Sequence, residues 1–203
     1  MTLRTKIDLM QRSSGRFSGR RWAKPEMRRT SEMASIEFRH LSKNVRDLIA
    51  PFLSQKPVPL GALARSLGLR VKVAPLDRGV SGSIRKAEDG VYEIRVNKFE
   101  TRSRQRFTIA HEISHFLLHK SIIDEQDGIK DNILLRSGLP QKIEYEANRL
   151  AADLIMPDDF IERDARRYFS DGAITEEVVE QLSDEWGVSK AAMEIKLGNF
   201  VAG

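Results

Sequence analysis

The sequence predicts an α+β domain: a small antiparallel or mixed sheet packed on two long helices, with a short helical element at the C-terminal end. Three observations lead there. The stretch "SGSIRKAEDGVYEIRVN" (81–97) reads as a hairpin, because "SIRK" and "VYEIRVN" alternate about an Asp89-Gly90 turn. "TRSRQRFTIAHEISHFLLHK" (101–120) and "QKIEYEANRLAADLIM" (141–156) carry apolar residues at helical spacing over several turns. A chain of 203 residues, 40% hydrophobic and 31% charged, suits one soluble globular domain with modest extensions.

The other elements follow in order. "FRHLSKNVRDLIAPF" (38–52) has a helical stripe at Leu41, Val45, Leu48 and Ile49. "VPLGALARSLGL" (58–69) predicts a short helix that Gly68 stops, and "RVKVAPL" (70–76) alternates like a strand. In the hairpin, Tyr92, Ile94 and Val96 share one face. Ser103 is placed to cap the helix that follows, which is apolar on most sides and so expected to be buried. Residues 121–140 read as a loop, broken by Gly128, Gly138 and Pro140. Pro157 ends the helix of 141–156, and a polar helix follows over 158–169. Two short helices, "TEEVVEQLSDEW" (175–186) and "SKAAMEIKL" (189–197), are separated by Gly187. The expected division is a basic, disordered tail (1–35), a main domain (36–172) and a C-terminal helical element packed on it (173–203).

Charge is unevenly spread. Residues 1–34 hold nine Lys or Arg against three acids, whereas the rest of the chain holds 25 against 26. The basicity belongs to the tail, where weak, non-specific nucleic-acid contact is the only function it suggests. Met33 offers an alternative start that would leave much of this segment untranslated. No apolar run approaches a membrane span, and no secretory signal is expected. With no cysteine, disulfides are excluded and a cytoplasmic location is expected.

Three of the four histidines fall within "HEISHFLLH" (111–119). His111 and His115 are four apart, so a helix places both imidazoles on one face within reach of one ion. Glu112 lies about 100° further round, badly placed as a ligand but able to reach a water on that ion. This is the H-E-x-x-H pattern, in which two histidines hold zinc and the glutamate is the general base. Zinc brings the pKa of its water towards roughly 7, and the carboxylate takes the proton as the oxygen attacks a carbonyl. Two core histidines flanking a glutamate by chance is the bland alternative, but unpartnered burial of three such groups is costly. The third ligand should be an acid, since no histidine follows His119. "IEYEANRLAADL" offers Glu144, Glu146 and Asp153; Glu144 and Asn148 stand on one helical face, and Asn148 can steady a ligand by a hydrogen bond. Glu146, about 200° round from Glu144, is expected in solvent. His119 cannot converge with the other two, because successive helical turns rise about 5.4 Å, and it reads as a structural residue near the helix end.

These stretches, with "LSDEWGVSKAAMEIKL" (182–197), "LGALARSLGLRV" and "VYEIRVN", resemble the ImmA/IrrE family of zinc metallopeptidases over roughly 36–198. The resemblance implies a zincin-like fold, with His111, His115 and Glu144 as zinc ligands, Glu112 as base and Asn148 at the family's Asn/Asp position. Leu150 stands where many members have Phe. It implies an endopeptidase cleaving a protein, an XRE-type helix-turn-helix repressor, in stress response, mobile-element or toxin–antitoxin regulation. Such a site also tolerates Mn2+. The alternative is a non-proteolytic, DNA-associated regulator or antitoxin-like protein with a structural zinc site. "LSDEWGVSKAAM" resembles a helix-turn-helix hinge, but its second helix offers only Lys190 and Lys196 and no Arg, Asn or Gln for base edges, so it reads as a packing element. Substrate identity, scissile bond and inducing signal are not legible, nor is the oxyanion stabiliser, for which Tyr92, Tyr168 and several Arg are candidates.

A chain starting at Met33 is expected to fold and keep its metal, because residues 1–32 supply no apolar stripe and no ligand. Its metal content and unfolding midpoint should match those of the full chain; loss of either would place the segment inside the domain. Any nucleic-acid binding lost with the tail should fall steeply with salt.

Overall fold

The computed structural model describes residues 34–125, 129–130, 139–168 and 174–201. The basic segment up to residue 33 lies outside them. Two short helices open the described chain, α1 (Ile36–His40) and α2 (Lys43–Leu53). The single helix read from the sequence is broken at Leu41, which is extended at ψ 139°. The cause is local: the Ser42 hydroxyl accepts from Val45 N at 3.3 Å and starts a new helix, as Ser35 does for α1 through Phe38 N. Helix α3 (Leu60–Ser66) ends where expected, with Gly68 at φ 77°.

The sheet is mixed, with strand order β1-β3-β2-β4: β1 (Leu69–Ala74), β2 (Gly82–Lys86), β3 (Tyr92–Asn97) and a two-residue β4 (Ile129–Lys130). β2 and β3 form the antiparallel hairpin, with Ile84 opposite Ile94 and Gly90 at φ 80° in the turn. β1 runs parallel to β3, with Val71 opposite Ile94. Tyr92, Ile94 and Val96 are buried together with Ile84, as their alternation requires. On the other face Glu93 is buried but ion-paired to Lys72 at 2.6 Å, which holds its carboxyl below the usual range against the effect of burial.

The long helix α4 (Arg102–Leu118) is capped by Thr101, whose hydroxyl accepts from Arg104 N at 3.3 Å. The cap is two residues earlier than Ser103, whose hydroxyl instead meets that of Thr101. The expected loop after α4 holds structure: α5 (Lys120–Glu125) and β4 fall within it. Both form through tertiary partners. Ile123 is fully buried, and Ile129 pairs with Ile84. The second long helix, α6 (Leu139–Ile155), packs against α4, and α7 (Asp158–Arg166) follows Pro157. Acids in the first turn of α7 and arginines in the last suit its dipole.

Helices α8 (Glu176–Trp186) and α9 (Lys190–Val201) meet at Gly187, in the left-handed conformation at φ 63°. Trp186, Met193 and Leu197 belong to the same hydrophobic cluster as Ile113, Leu150 and Ile94. Arg106 on α4 ties this element down, donating to Gly187 O and Val58 O, each at 3.0 Å. Lys196 is buried between Asp153 and Asp158, and Lys190 pairs with Glu176, so both lysines are engaged within the fold.

Gly82 fixes how closely α4 lies on the sheet. A Cβ there would sit 2.3 Å from Thr108 Cγ2 and 3.0 Å from Arg95 O. Gly82→Ala is therefore expected to destabilise the fold by about 1–3 kcal/mol, the usual cost of overpacking. Adding Thr108→Ser, which removes the clashing methyl, should recover much of the loss. Urea unfolding of the two variants checks this; an unaffected single variant would show that β2 yields freely.

Candidate metal centre

Two helices build the site. On α4, His111 and His115 fall one turn apart and are 6% and 0% exposed. Their Nε2 atoms point to the same space and lie 2.9 Å apart. From α6, Glu144 reaches into that space, with Oε2 3.3 Å from His111 Nε2 and Oε1 3.3 Å from His115 Nε2. The three ligand atoms all lie within 4.8 Å of one another. Two donors held about 2.0–2.2 Å from one ion at a tetrahedral angle are themselves roughly 3.3–3.6 Å apart. The carboxylate–imidazole separations match that spacing, so the residues present fit a small divalent ion bound by nitrogen and oxygen.

Protonation states agree with the fit. Burial pushes His115 down to about 4, outweighing its hydrogen bond to the Glu144 carboxylate, which acts the other way. Burial alone would raise Glu144, but hydrogen bonds from His111 and His115 hold it well below the usual carboxylate range. A neutral imidazole and an ionised carboxylate are the forms that bind metal.

Glu112 is 1% exposed and stands outside the trio. It faces the sheet: its Oε1 is 3.3 Å from where a Gly82 side chain would begin. Ser114, on the ligand side of α4, satisfies its own hydroxyl by donating to Ala110 O at 2.8 Å.

A model of the IrrE N-terminal-like domain, a metallopeptidase family, matches residues 64–198, the stretch that contains this site. The chain belongs to that family. No curated protein matches it. Among solved structures, a Mycobacterium tuberculosis transcriptional regulator is similar at 18% identity and a TM-score of 0.49, over 74% of this chain and 44% of the regulator. The chain thus spans less than half of that relative's length.

In this member of the family, the remaining candidates fall in separate places. Asn148 is exposed, one helical turn beyond Glu144 on α6. Glu146 is not in open solvent as its helical angle implied. Its Oε2 lies 3.0 Å from His119 Nε2, and His119 Nδ1 lies 3.1 Å from His115 Nδ1. The helical wheel fails here because His119 is the C-cap of α4, at φ −127°, and has left the helical stack. Asp153 is distant in role, accepting from Ser35 N at 2.8 Å. The Tyr92 hydroxyl donates to Asp124, and burial together with that carboxylate pushes it up to about 12. Gly82 was invisible to motif reading; its only sequence signal is a glycine opening a strand that precedes the motif helix.

Metal is expected to stabilise the fold through this trio. A free ion at 100 times its dissociation constant adds about 2.7 kcal/mol to unfolding. The melting temperature should rise on adding zinc to metal-free protein and should stay unchanged in His111→Ala, as scanning calorimetry would show. An equal rise in the variant would locate the binding elsewhere.

Proposed function

We propose that the chain is a zinc-dependent endopeptidase whose substrate is a helix-turn-helix repressor of the XRE type. Cleavage would switch on stress-response, mobile-element or toxin–antitoxin genes, in the cytoplasm where such a repressor works. The observation that carries the peptidase reading is the convergence of His111, His115 and Glu144 in one pocket, with Glu112 beside it but outside the donor set. Family membership supports the reaction class, and the resemblance of the motifs to ImmA/IrrE peptidases supports the repressor as substrate.

His111, His115 and Glu144 would hold the zinc. Bound there, the ion supplies Lewis acidity for a water and for the peptide carbonyl. The chain's own residues do the rest. His111 and His115 present neutral Nε2 lone pairs, and Glu144 brings one negative charge that offsets half of a divalent ion's charge. Glu112 takes the proton of the attacking water on a carboxylate oxygen and passes it to the leaving amine nitrogen. Its near-complete burial keeps bulk water from competing for that proton. A purely structural site has no use for a second carboxylate in this place, which is why the peptidase reading is preferred to a DNA-associated regulator with a structural zinc.

Glu112→Gln is expected to keep its zinc and lose at least about 100-fold in cleavage, since removing a general base typically costs 10²–10⁴. Glu144→Ala should lose both. The measurements are zinc content after dialysis and fragment formation from a candidate repressor mixed with the loaded enzyme. Metal lost from Glu112→Gln would make Glu112 a ligand, and full cleavage by that variant would remove it from the reaction.

A further inference from the structure

We infer that Glu146 and His119 form an outer hydrogen-bonded relay that fixes the ring of His115 as a metal ligand. The inference rests on the zinc-site reading above and adds two positioning residues to it.

The geometry is a chain of three contacts. Glu146 Oε2 is 3.0 Å from His119 Nε2, and His119 Nδ1 is 3.1 Å from His115 Nδ1. His115 Nε2 then faces His111 and Glu144. With neutral rings, only one assignment of protons satisfies both contacts of His119. If His115 binds metal through Nε2, its proton is on Nδ1 and is donated to His119 Nδ1. His119 must then carry its proton on Nε2, where it meets the Glu146 carboxylate, an acceptor. Donors and acceptors alternate without conflict from carboxylate to metal. The reverse assignment puts the His115 proton on Nε2, in the metal position. His119 would then donate from Nδ1 and turn a bare Nε2 lone pair onto a carboxylate oxygen, unless it took up a second proton. The relay therefore favours the tautomer of His115 that leaves Nε2 free for a metal.

Burial gives the relay a reason to hold. His115 and His119 are 0% and 5% exposed, so an unmade hydrogen bond on either ring would leave a buried polar group without water to replace it. Glu146 retains about a quarter of its side-chain surface in solvent, and Lys142 approaches its other oxygen at 3.7 Å, leaving Oε2 for His119. The third histidine of the cluster thus has a use without being a ligand. Partners of this kind orient ligand imidazoles and raise their basicity, and their removal typically costs 10–100-fold in metal affinity.

The test measures zinc affinity of the full chain by competition with a chromophoric chelator, and the visible spectrum of the cobalt-loaded protein. Glu146→Ala should bind zinc about 10–100-fold more weakly and shift the cobalt bands. Glu146→Gln should recover part of the loss, because its amide oxygen still accepts from His119. His119→Phe should match Glu146→Ala, and the double variant should be no worse than His119→Phe alone, since the two act through one path. Lys142→Ala should bind as wild type does. The metal-free Glu146→Ala protein should still unfold in one cooperative step, with its midpoint lowered by no more than the loss of one buried hydrogen bond, which separates lost positioning from a collapsed fold. Wild-type affinity in both Glu146 variants, or additive losses in the double variant, would overturn the relay and leave the zinc site standing. A wild-type chain that takes up no zinc would overturn the site reading itself.

Discussion

The close approach of α4 and α6 is the constraint on which the rest depends. The donors come from two helices, and a carboxylate on one can meet imidazoles on the other only if the backbones pack closely. Small residues permit it. Ala110 and Ser114 flank the ligand face of α4, Ala147 and Ala151 share the face of Glu144 on α6, and all four are fully buried. A larger side chain at any of them would push the helices apart. Three ligand atoms spaced for one ion would then become three separate buried polar groups, each needing its own partner.

The elements around this pair brace it. On one side the sheet supports α4, and Gly82 lets β2 come close enough for Thr108 and Glu112 to pack on it. On the other, the C-terminal helices hold both long elements. Arg106 near the start of α4 donates to the carbonyls of Gly187 at the α8–α9 turn and of Val58, and burial, with the nearby charge of Arg102, lowers its pKa. Lys196 of α9 bridges Asp153 of α6 and Asp158 of α7. Trp186 donates to Asp164 Oδ2 at 3.2 Å, which also pairs with Lys56 at 2.9 Å. Breaking one partner of such a buried pair costs about 3–5 kcal/mol, far more than an exposed pair contributes. In the segment that resembles a helix-turn-helix hinge and in its second helix, the Gly187 carbonyl and Lys196 are committed to this bracing.

Much of the fold and the donor set was legible because it is encoded in local spacing. The four-residue step from His111 to His115, the Asp89-Gly90 turn and the stop at Pro157 each need only neighbours along the chain. What was missed depends on distant partners. β4 exists because Ile84 offers it an edge, and α5 because Ile123 finds the core. The break at Leu41 was a contest between an apolar stripe and a serine cap, and the cap prevailed. Glu146 was misjudged because an angular argument holds only within a regular helix, and its partner is the residue where regularity ends.

Two carboxylates flank the same pair of histidines and are made different by where they come from. Glu144 arrives from α6 on the side of the imidazole Nε2 atoms, and the nearby His111 and His115 favour its ionised form despite burial, the state of a ligand. Glu112 grows from the same helix as the histidines, so the helical step alone turns it away from them and towards β2. One carboxylate is thus held among the ligand nitrogens, while the other lies outside the donor set. Both are glutamates, so each role is set by the helix face and the neighbouring element rather than by the acid itself.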